Sequence, residues 1–128
     1  MISAAARLAT SEYLLLTTFR ADGRPVPLPV WVVPLGDDEI GVWTVDGSGK
    51  VRRIRAQPQV TVAECDRVGT PLGPSAVDGR ARVLDAAGTA RVQAALQAKY
   101  DLDAAQLDAT LQRIGPGRLA VGLAVTVS

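Results

Sequence analysis

The chain has 128 residues, 48% of them hydrophobic, which suits one domain over residues 1–128 with a buried core. Its formal net charge is +1, and this near-balance argues against nucleic-acid binding, which needs a large basic excess. There is no histidine and only one cysteine, so imidazole-based nucleophile triads are excluded and no metal site is expected. A bound cofactor would have to carry any catalysis.

The first 45 residues have the pattern of a β-meander. A short alanine-rich helix is predicted over Ser3–Ala9. Three β-type runs follow, and turn-forming residues at Ala21–Gly23 and Gly36–Asp38 separate them. We therefore expect strands at Tyr13–Arg20, Val26–Leu35 and Ile40–Val45.

The second of these strands carries a series of three prolines, Pro25, Pro27 and Pro29, at a spacing of two. Alternate residues of a strand direct their backbone groups to the same edge, so one edge lacks three N–H donors and cannot form a full ladder. The pattern leaves two interpretations open. The edge is either protected against aggregation or lies beside a ligand.

The second half of the chain mixes helices and strands. Ser48 is a good N-cap for a helix over Lys50–Gln57, whose apolar face carries Val51 and Ile54, and Pro58 ends this helix. Further strands are predicted at Gln59–Cys65, Ser75–Asp85 and Arg118–Val127, and further helices at Ala86–Tyr100 and Asp103–Ile114. Six short strands with flanking helices make the chain mainly β and favour a barrel over a parallel sheet.

Three features bear on where the protein resides. The chain has no apolar run of about 20 residues, the length that a membrane-spanning helix needs. The segment Met1–Thr10 lacks the basic-then-apolar order of a secretory signal peptide. The lone Cys65 cannot form an intramolecular disulfide and is expected to be a small buried residue. We therefore expect no membrane association and a cytoplasmic location.

The segment Gly47–Lys50 has the composition of a phosphate-binding loop. It does not fit the nucleotide-hydrolase motif, which requires a glycine where Thr44 stands and a serine or threonine where Val51 stands. A glycine-rich turn at the start of a helix nevertheless presents free N–H groups and the positive end of the helix dipole. We therefore expect an anion site here, without nucleotide hydrolysis.

Four cations, Lys50, Arg52, Arg53 and Arg55, lie within six residues of this predicted helix. On a helix, Lys50 and Arg53 share one face, and Arg52 and Arg55 share another. The first pair, together with the Ser48 hydroxyl, would suit a phosphate dianion. A solvated basic face is the alternative that the cluster alone leaves open.

A series of short motifs runs along the first two-thirds of the chain. The motifs are Gly23 with Pro29-Val30-Trp31, Trp43-Thr44, Ser48-Gly49-Lys50-Val51-Arg52-Arg53-Ile54-Arg55, Pro58-Gln59-Val60-Thr61-Val62, Asp66-Arg67-Val68-Gly69 and Asp78-Gly79-Arg80-Ala81. In order and spacing the series resembles the pyridoxamine 5′-phosphate oxidase-like split β-barrel proteins. The likeness is best over residues 5–85 and looks closest to an actinobacterial branch, the flavin/deazaflavin oxidoreductases that use coenzyme F420.

The resemblance implies a fold, an assembly and a cofactor site. The fold would be a six-stranded split β-barrel of the FMN-binding type, and the assembly a homodimer with cofactor sites at the subunit interface. The implied cofactor-binding residues are Leu28, Pro29, Val30 and Trp31 along the ring, Trp43 and Thr44 beside the ring and ribityl chain, Ser48, Gly49 and Lys50 at the phosphate turn, and Arg53 and Arg55 at the phosphate or the acidic tail of F420.

The resemblance also implies an F420-dependent oxidoreductase that transfers a hydride between deazaflavin and a small organic acceptor. Flavin-using oxidases of this family have an Arg-Lys pair where this chain has Gly49-Lys50, which favours F420 over FMN. An FMN-binding oxidoreductase of the same fold, a non-catalytic F420 or flavin carrier, and an interaction module without a cofactor are the alternatives. No catalytic side chain is predicted, and neither is oxidation of a vitamin B6 phosphate, because the contacts typical of that substrate are not evident.

Overall fold

The computed structural model describes residues 3–73 and 76–127. Pro74 and Ser75, where the sequence predicts the end of a loop and the start of a strand, lie outside the described residues. The elements are α1 (Ala4–Ala9), β1 (Tyr13–Phe19), β2 (Pro25–Pro34), β3 (Glu39–Val45), α2 (Gly49–Ala56), β4 (Gln59–Cys65), β5 (Val77–Val83), α3 (Ala86–Tyr100), α4 (Ala104–Ile114) and β6 (Ala120–Val127).

The six strands form a closed antiparallel barrel in the order β1-β2-β3-β6-β5-β4. Strand residues alternate between the two faces of the sheet, so every second side chain of a strand points into the barrel. The interior is filled by residues such as Leu14, Leu16, Val32, Ile40 and Leu123, and the apolar face of α2 packs on the same core. The expected mainly β barrel with flanking helices is confirmed.

The barrel is split between β2 and β3. These strands pair only where Val32–Pro34 meets Ile40–Val42. Beyond that point β2 is bonded to β1 alone, and β3 is bonded to β6 alone. The register would place Trp31 opposite Trp43, but the two strands have separated there, which leaves a free edge on β2.

The proline series lies along this free edge. Strand β2 pairs with β1 from Pro25 to Trp31, and because proline has no N–H, the bonds to β1 come from the residues between the prolines. The alternation continues at Val32, whose N–H turns to the β1 side and donates to the Tyr100 hydroxyl. The missing donors therefore fall where no neighbouring strand exists, and the prediction of an incomplete edge is confirmed.

Helices α3 and α4 cover the outer face of the barrel. Helix α4 begins with a capping box formed by Asp103 and Gln106. It ends at Gly115, where a Cβ atom would lie 2.6 Å from the Val45 Cγ1 atom, so only glycine lets the helix end this close to β3. The buried side chains between these helices and the barrel are Val33, Trp43, Val92, Leu96 and Leu107.

The last turn of α3 is anchored by Lys99. Its Nζ atom donates hydrogen bonds to the backbone carbonyls of Ala9, Ser11 and Val32 at 2.8, 2.5 and 2.6 Å. Burial lowers the pKa of this ammonium group, yet the three carbonyls take up all of its donors. Lys99 thereby ties α1, the start of β1 and β2 to one point. No helix in the described part of the chain is long and apolar enough to cross a bilayer.

Candidate cofactor site

A cavity of about 360 Å³ lies where β2 and β3 separate, and we call it the split cavity. Strand residues form two of its walls, and helices α2 and α4 contribute the rest. The lining residues are Tyr13, Pro29, Val30 and Trp31 on β1 and β2, Trp43 and Thr44 on β3, Lys50 on α2, and Thr110, Arg113 and Ile114 on α4. Six of the residues that the resemblance implies for the cofactor thus line one cavity.

Lys50 brings a positive charge to this cavity. Its Nζ atom donates to the Oγ1 atom of the buried Thr44 at 3.1 Å. Burial, and secondarily the nearby Arg53 charge, lower the pKa of Lys50. Its ammonium group forms no salt bridge with any carboxylate of residues 3–73 or 76–127. An ammonium group has three donors, so two are free for a ligand.

Arg53 stands beside Lys50 and takes the space that a side chain at position 49 would need. Its Nε atom donates to the Oγ1 atom of Thr18 at 2.7 Å, and Thr18 is 1% exposed. One terminal nitrogen of its guanidinium lies 2.8 Å from the point where a Cβ atom of Gly49 would stand. Gly49 is therefore the reason that this guanidinium can lie against the turn.

Gly49 and Arg53 line a second depression beside α2, with a volume of about 560 Å³. We call it the arginine groove. Burial, and then the charges of Arg20 and Arg52, lower the pKa of the Arg53 guanidinium. The residues of the groove are Phe19, Arg20, Ala21, Gly49, Arg52, Arg53, Ala56 and Gln57.

The other implied site residues lie outside both depressions. Leu28 lies on β2 next to the free edge and is exposed. Ser48 caps α2, as predicted, and its hydroxyl accepts from the Val51 N–H at 3.5 Å. Arg55 points to another side of the helix, where it lies 3.9 Å from Asp46. The predicted Arg52 and Arg55 pair is therefore separated.

Trp43 carries an unsatisfied donor. It is 6% exposed, and its indole Nε1 is the single buried side-chain nitrogen or oxygen without a hydrogen bond among the described residues. Trp43 borders the split cavity and also a smaller cavity of about 220 Å³ beneath α4. A buried N–H without a partner costs about 1–3 kcal/mol, so an acceptor atom of a ligand in either cavity would stabilise it.

Trp31 is held in place from behind by Tyr100. The two rings stack with their centroids 5.3 Å apart. The Tyr100 hydroxyl donates to the Glu12 carbonyl at 2.6 Å and accepts from the Val32 N–H at 3.2 Å. Burial is the main cause that raises the pKa of Tyr100 to about 12. The phenol therefore keeps its proton at neutral pH and fixes the β2 wall of the cavity.

Sequence reasoning missed the α4 wall and part of the arginine groove. Thr110, Arg113 and Ile114 line the split cavity, and Arg20 lines the groove. The spacing of the three α4 residues indicates a shared helix face. Nothing in the sequence says which face of α4 meets the cavity, and Arg20 follows β1 as an ordinary turn residue.

The described residues offer neither a metal site nor a reactive thiol. No group of three His, Cys, Asp or Glu side chains in residues 3–73 and 76–127 is arranged to hold a metal. Cys65 is 2% exposed, and burial, with the nearby Asp66 charge, raises the pKa of its thiol. The expectation that Cys65 is a small buried residue is confirmed.

Known structures with the same fold have different functional descriptions. A conserved hypothetical protein of Mycobacterium tuberculosis is 20% identical with a TM-score of 0.70, and the match covers 99% of this chain and 81% of that one. A structure described as an F420 reductase is 21% identical with a TM-score of 0.61, over 100% and 96% of the two chains. A pyridoxamine 5′-phosphate oxidase-related, FMN-binding protein of Nostoc punctiforme is 18% identical with a TM-score of 0.59, over 96% and 74%.

At these identities the three structures share the fold with this chain. Comparison with proteins of curated function finds no match. The family model described as pyridoxamine 5′-phosphate oxidase matches residues 3–125, which is nearly the whole chain and includes both walls of the split cavity and helix α2. This family of split barrels binds flavins and includes oxidoreductases. The chain belongs to the pyridoxamine 5′-phosphate oxidase family.

Proposed function

We propose that this protein is an oxidoreductase that binds coenzyme F420 and transfers a hydride between its deazaflavin and a small organic acceptor. One observation carries the proposal: Lys50, a cation with free donors, lines the same cavity as the two separated strand walls. A planar ring and the phosphate of one cofactor can therefore be held by one continuous surface. When bound, the deazaflavin supplies the carbon that gives or takes the hydride.

The chain's own groups bind and orient this cofactor. Strand alternation turns the backbone N–H and C=O of Trp31 toward the cavity, on the same edge as the prolines, where they can bond to the edge of a heterocycle. The rings of Trp31 and Trp43 supply flat apolar surface. The Trp43 N–H, which has no partner among the described residues, can donate a hydrogen bond to an acceptor atom of the cofactor. Lys50 then offers two donors to a phosphate.

The arginine groove supports F420 over FMN. F420 continues beyond its phosphate into an acidic tail, whereas FMN ends there. Three arginines, Arg20, Arg52 and Arg53, line the groove next to the phosphate turn. Carboxylates in that groove would neutralise charges that repel one another. We propose Arg53 as the link between the two depressions, because it lies against the turn at Gly49 and also lines the groove.

FMN is the second candidate, and a specific observation favours it. The Arg53 guanidinium occupies the space next to Gly49, so the turn again has an arginine beside Lys50, as the family's flavin-using oxidases do. If the Arg53 guanidinium replaces the missing side chain at position 49, a flavin phosphate would meet the same two cations. The two candidates therefore differ in the role of the arginine groove. It would bind the acidic tail of F420 and would add nothing to the binding of FMN.

We propose further that the protein is a cytoplasmic homodimer in which a second copy completes each cofactor site. The free edge of β2 with its exposed Leu28 and the exposed Ile114 at the cavity support a covering partner. The free, buried Cys65 suits a reducing compartment. The balanced charge supports a small-molecule acceptor, with no nucleic-acid or membrane partner. Light scattering at micromolar concentration should give the mass of a dimer, and a monomer would contradict the interface site.

Equilibrium titration of the purified protein with F420 and with FMN tests the function. We expect submicromolar binding of F420, weaker binding of FMN, and oxidation of bound reduced F420 by at least one compound of a panel of small unsaturated acceptors. Tight FMN binding without F420 binding would establish the second candidate instead. Binding of reduced F420 without oxidation by any acceptor would indicate a carrier, and binding of neither cofactor would overturn the proposal.

A further inference from the structure

Helix α4 forms a wall of the split cavity that is separate from the strand walls. Thr110, Arg113 and Ile114 line the cavity, and their spacing puts them on one helix face. The same side of the helix carries the buried Leu107, three residues before Thr110, which packs in one cluster with Trp43. The capping box at the start of α4 and the close contact at Gly115, directly after its last residue, fix the helix at both ends. The wall is therefore a built part of the cavity.

Arg113 is the polar group that this wall offers to a ligand. The Thr110 hydroxyl donates to the Gln106 carbonyl of its own helix at 2.9 Å, so this hydroxyl has no further proton to donate to a ligand. Ile114 is apolar and 53% exposed. Arg113 forms no salt bridge with a carboxylate of residues 3–73 or 76–127. Its guanidinium therefore keeps a fork of donors free at the edge of a cavity with aromatic walls.

We propose that Arg113 determines substrate specificity by binding the carboxylate of a planar, conjugated acceptor. The inference rests on the proposed function, because it assigns Lys50 to the cofactor phosphate and leaves Arg113 as the cation for the acceptor. The planar guanidinium matches a carboxylate with two parallel hydrogen bonds. The aromatic and aliphatic side chains around it match the flat apolar part of the same molecule. An aromatic or α,β-unsaturated acid is the substrate class that fits both.

Two probes of the same shape test this assignment, benzoate with a carboxylate and benzamide without a charge. Each is titrated into the F420- or FMN-loaded protein, and binding is followed by calorimetry and by the absorption of the bound cofactor. We expect Arg113→Gln to weaken benzoate about tenfold, the scale of a charge-assisted hydrogen bond, and to leave benzamide unchanged. Arg113→Lys should restore part of the benzoate affinity. Arg80→Gln removes an exposed arginine on β5, outside the cavity, and should change neither affinity.

The outcomes separate this inference from the function on which it rests. A wild-type protein that binds neither F420 nor FMN overturns the proposed function before benzoate is added. With cofactor bound, equal benzoate affinity in wild type and Arg113→Gln overturns the inference, and so does a loaded wild type that does not bind benzoate. A variant that loses cofactor affinity but keeps benzoate affinity assigns Arg113 to the cofactor and also overturns it. Thermal unfolding of the exposed Arg113 variants checks that they remain folded.

Discussion

The split cavity and the arginine groove, which both border helix α2, offer a ligand different kinds of surface. The split cavity is lined largely by aromatic and aliphatic side chains, and Lys50 is the cation that α2 contributes to it. The arginine groove contains Arg20, Arg52 and Arg53, and none of the three forms a salt bridge with a carboxylate of the described residues. One short helix therefore borders both a largely apolar surface and a strongly basic one.

This difference follows from what each cation contacts. Lys50 is anchored by Thr44 and Arg53 by Thr18, two threonines that are both buried in the barrel wall. The neutral hydroxyls fix the positions of the cations without neutralising them. Arg53 therefore keeps its repulsion with Arg20, and a bound anion is what would relieve it. The two surfaces can therefore be tested separately. The split cavity would hold the ring and phosphate of a cofactor, and the arginine groove would hold its acidic tail.

The largest effect is expected at Lys50, the cation that α2 contributes to the split cavity. Lys50→Ala should weaken the binding of both F420 and FMN by about 1.5–3 kcal/mol, because a charge-assisted hydrogen bond to the phosphate is lost. Titration calorimetry of the wild type and the variant with each cofactor measures this loss of binding free energy. Arg55→Ala is the control on the same helix, because Arg55 lies toward Asp46, and it should change binding by less than about 0.3 kcal/mol. A loss below that value for Lys50→Ala would remove Lys50 from the site.

A smaller effect is expected from loosening the β2 wall of the cavity alone. Tyr100→Phe keeps the ring that stacks on Trp31 but removes the hydroxyl that joins Glu12 to Val32. The free energy of unfolding at neutral pH should fall by about 1–2 kcal/mol, as measured by urea denaturation. Tyr13→Phe is the matched control, because the Tyr13 hydroxyl bonds to no described residue, and it should have little effect.

Because of the same hydroxyl, the free energy of unfolding should depend on pH in the alkaline range. The pKa of Tyr100 is about 12 in the folded protein against an ordinary value of 10.0, so the unfolded chain loses this proton first. The contribution is fully present below about pH 10 and is lost as the pH rises toward about 12. Tyr100→Phe should lack this part of the alkaline loss of stability. An identical fall in wild type and variant would show that Tyr100 does not cause it.

The barrel and the capped start of α2 could be predicted because their signals are local. Hairpin residues such as Gly23 and alternating apolar runs specify strands, and Ser48 before a basic helix specifies its cap. The proline series predicted an incomplete edge because each proline removes one N–H donor from its own strand, whatever the rest of the fold. The structure adds that this edge is free because β3 leaves it at Val42, and ligand binding along the edge stays a prediction.

The arginine groove and the α4 wall could not be predicted because they depend on contacts between distant segments. Arg20 and Arg53 are far apart in sequence and meet because β1 runs beside α2. Arg113 faces the cavity because Gly115 lets α4 end against β3. Helix phase alone placed Arg52 with Arg55, but Arg52 lines the groove with Arg53, since neighbouring long side chains can bend into the same depression.

The finest distinction between the two surfaces is whether the groove recognises F420 alone. Arg20→Ala/Arg52→Ala, with Arg53 retained, should weaken F420 about fivefold and leave FMN unchanged, since exposed charges contribute modestly. The F420 loss should shrink at high salt, because screening reduces exposed electrostatic attraction. Arg67→Ala/Arg80→Ala removes the same charge from exposed positions outside the groove. If that control weakens F420 equally, net charge explains the effect, and if FMN is also weakened, the groove binds the shared phosphate and no longer favours F420.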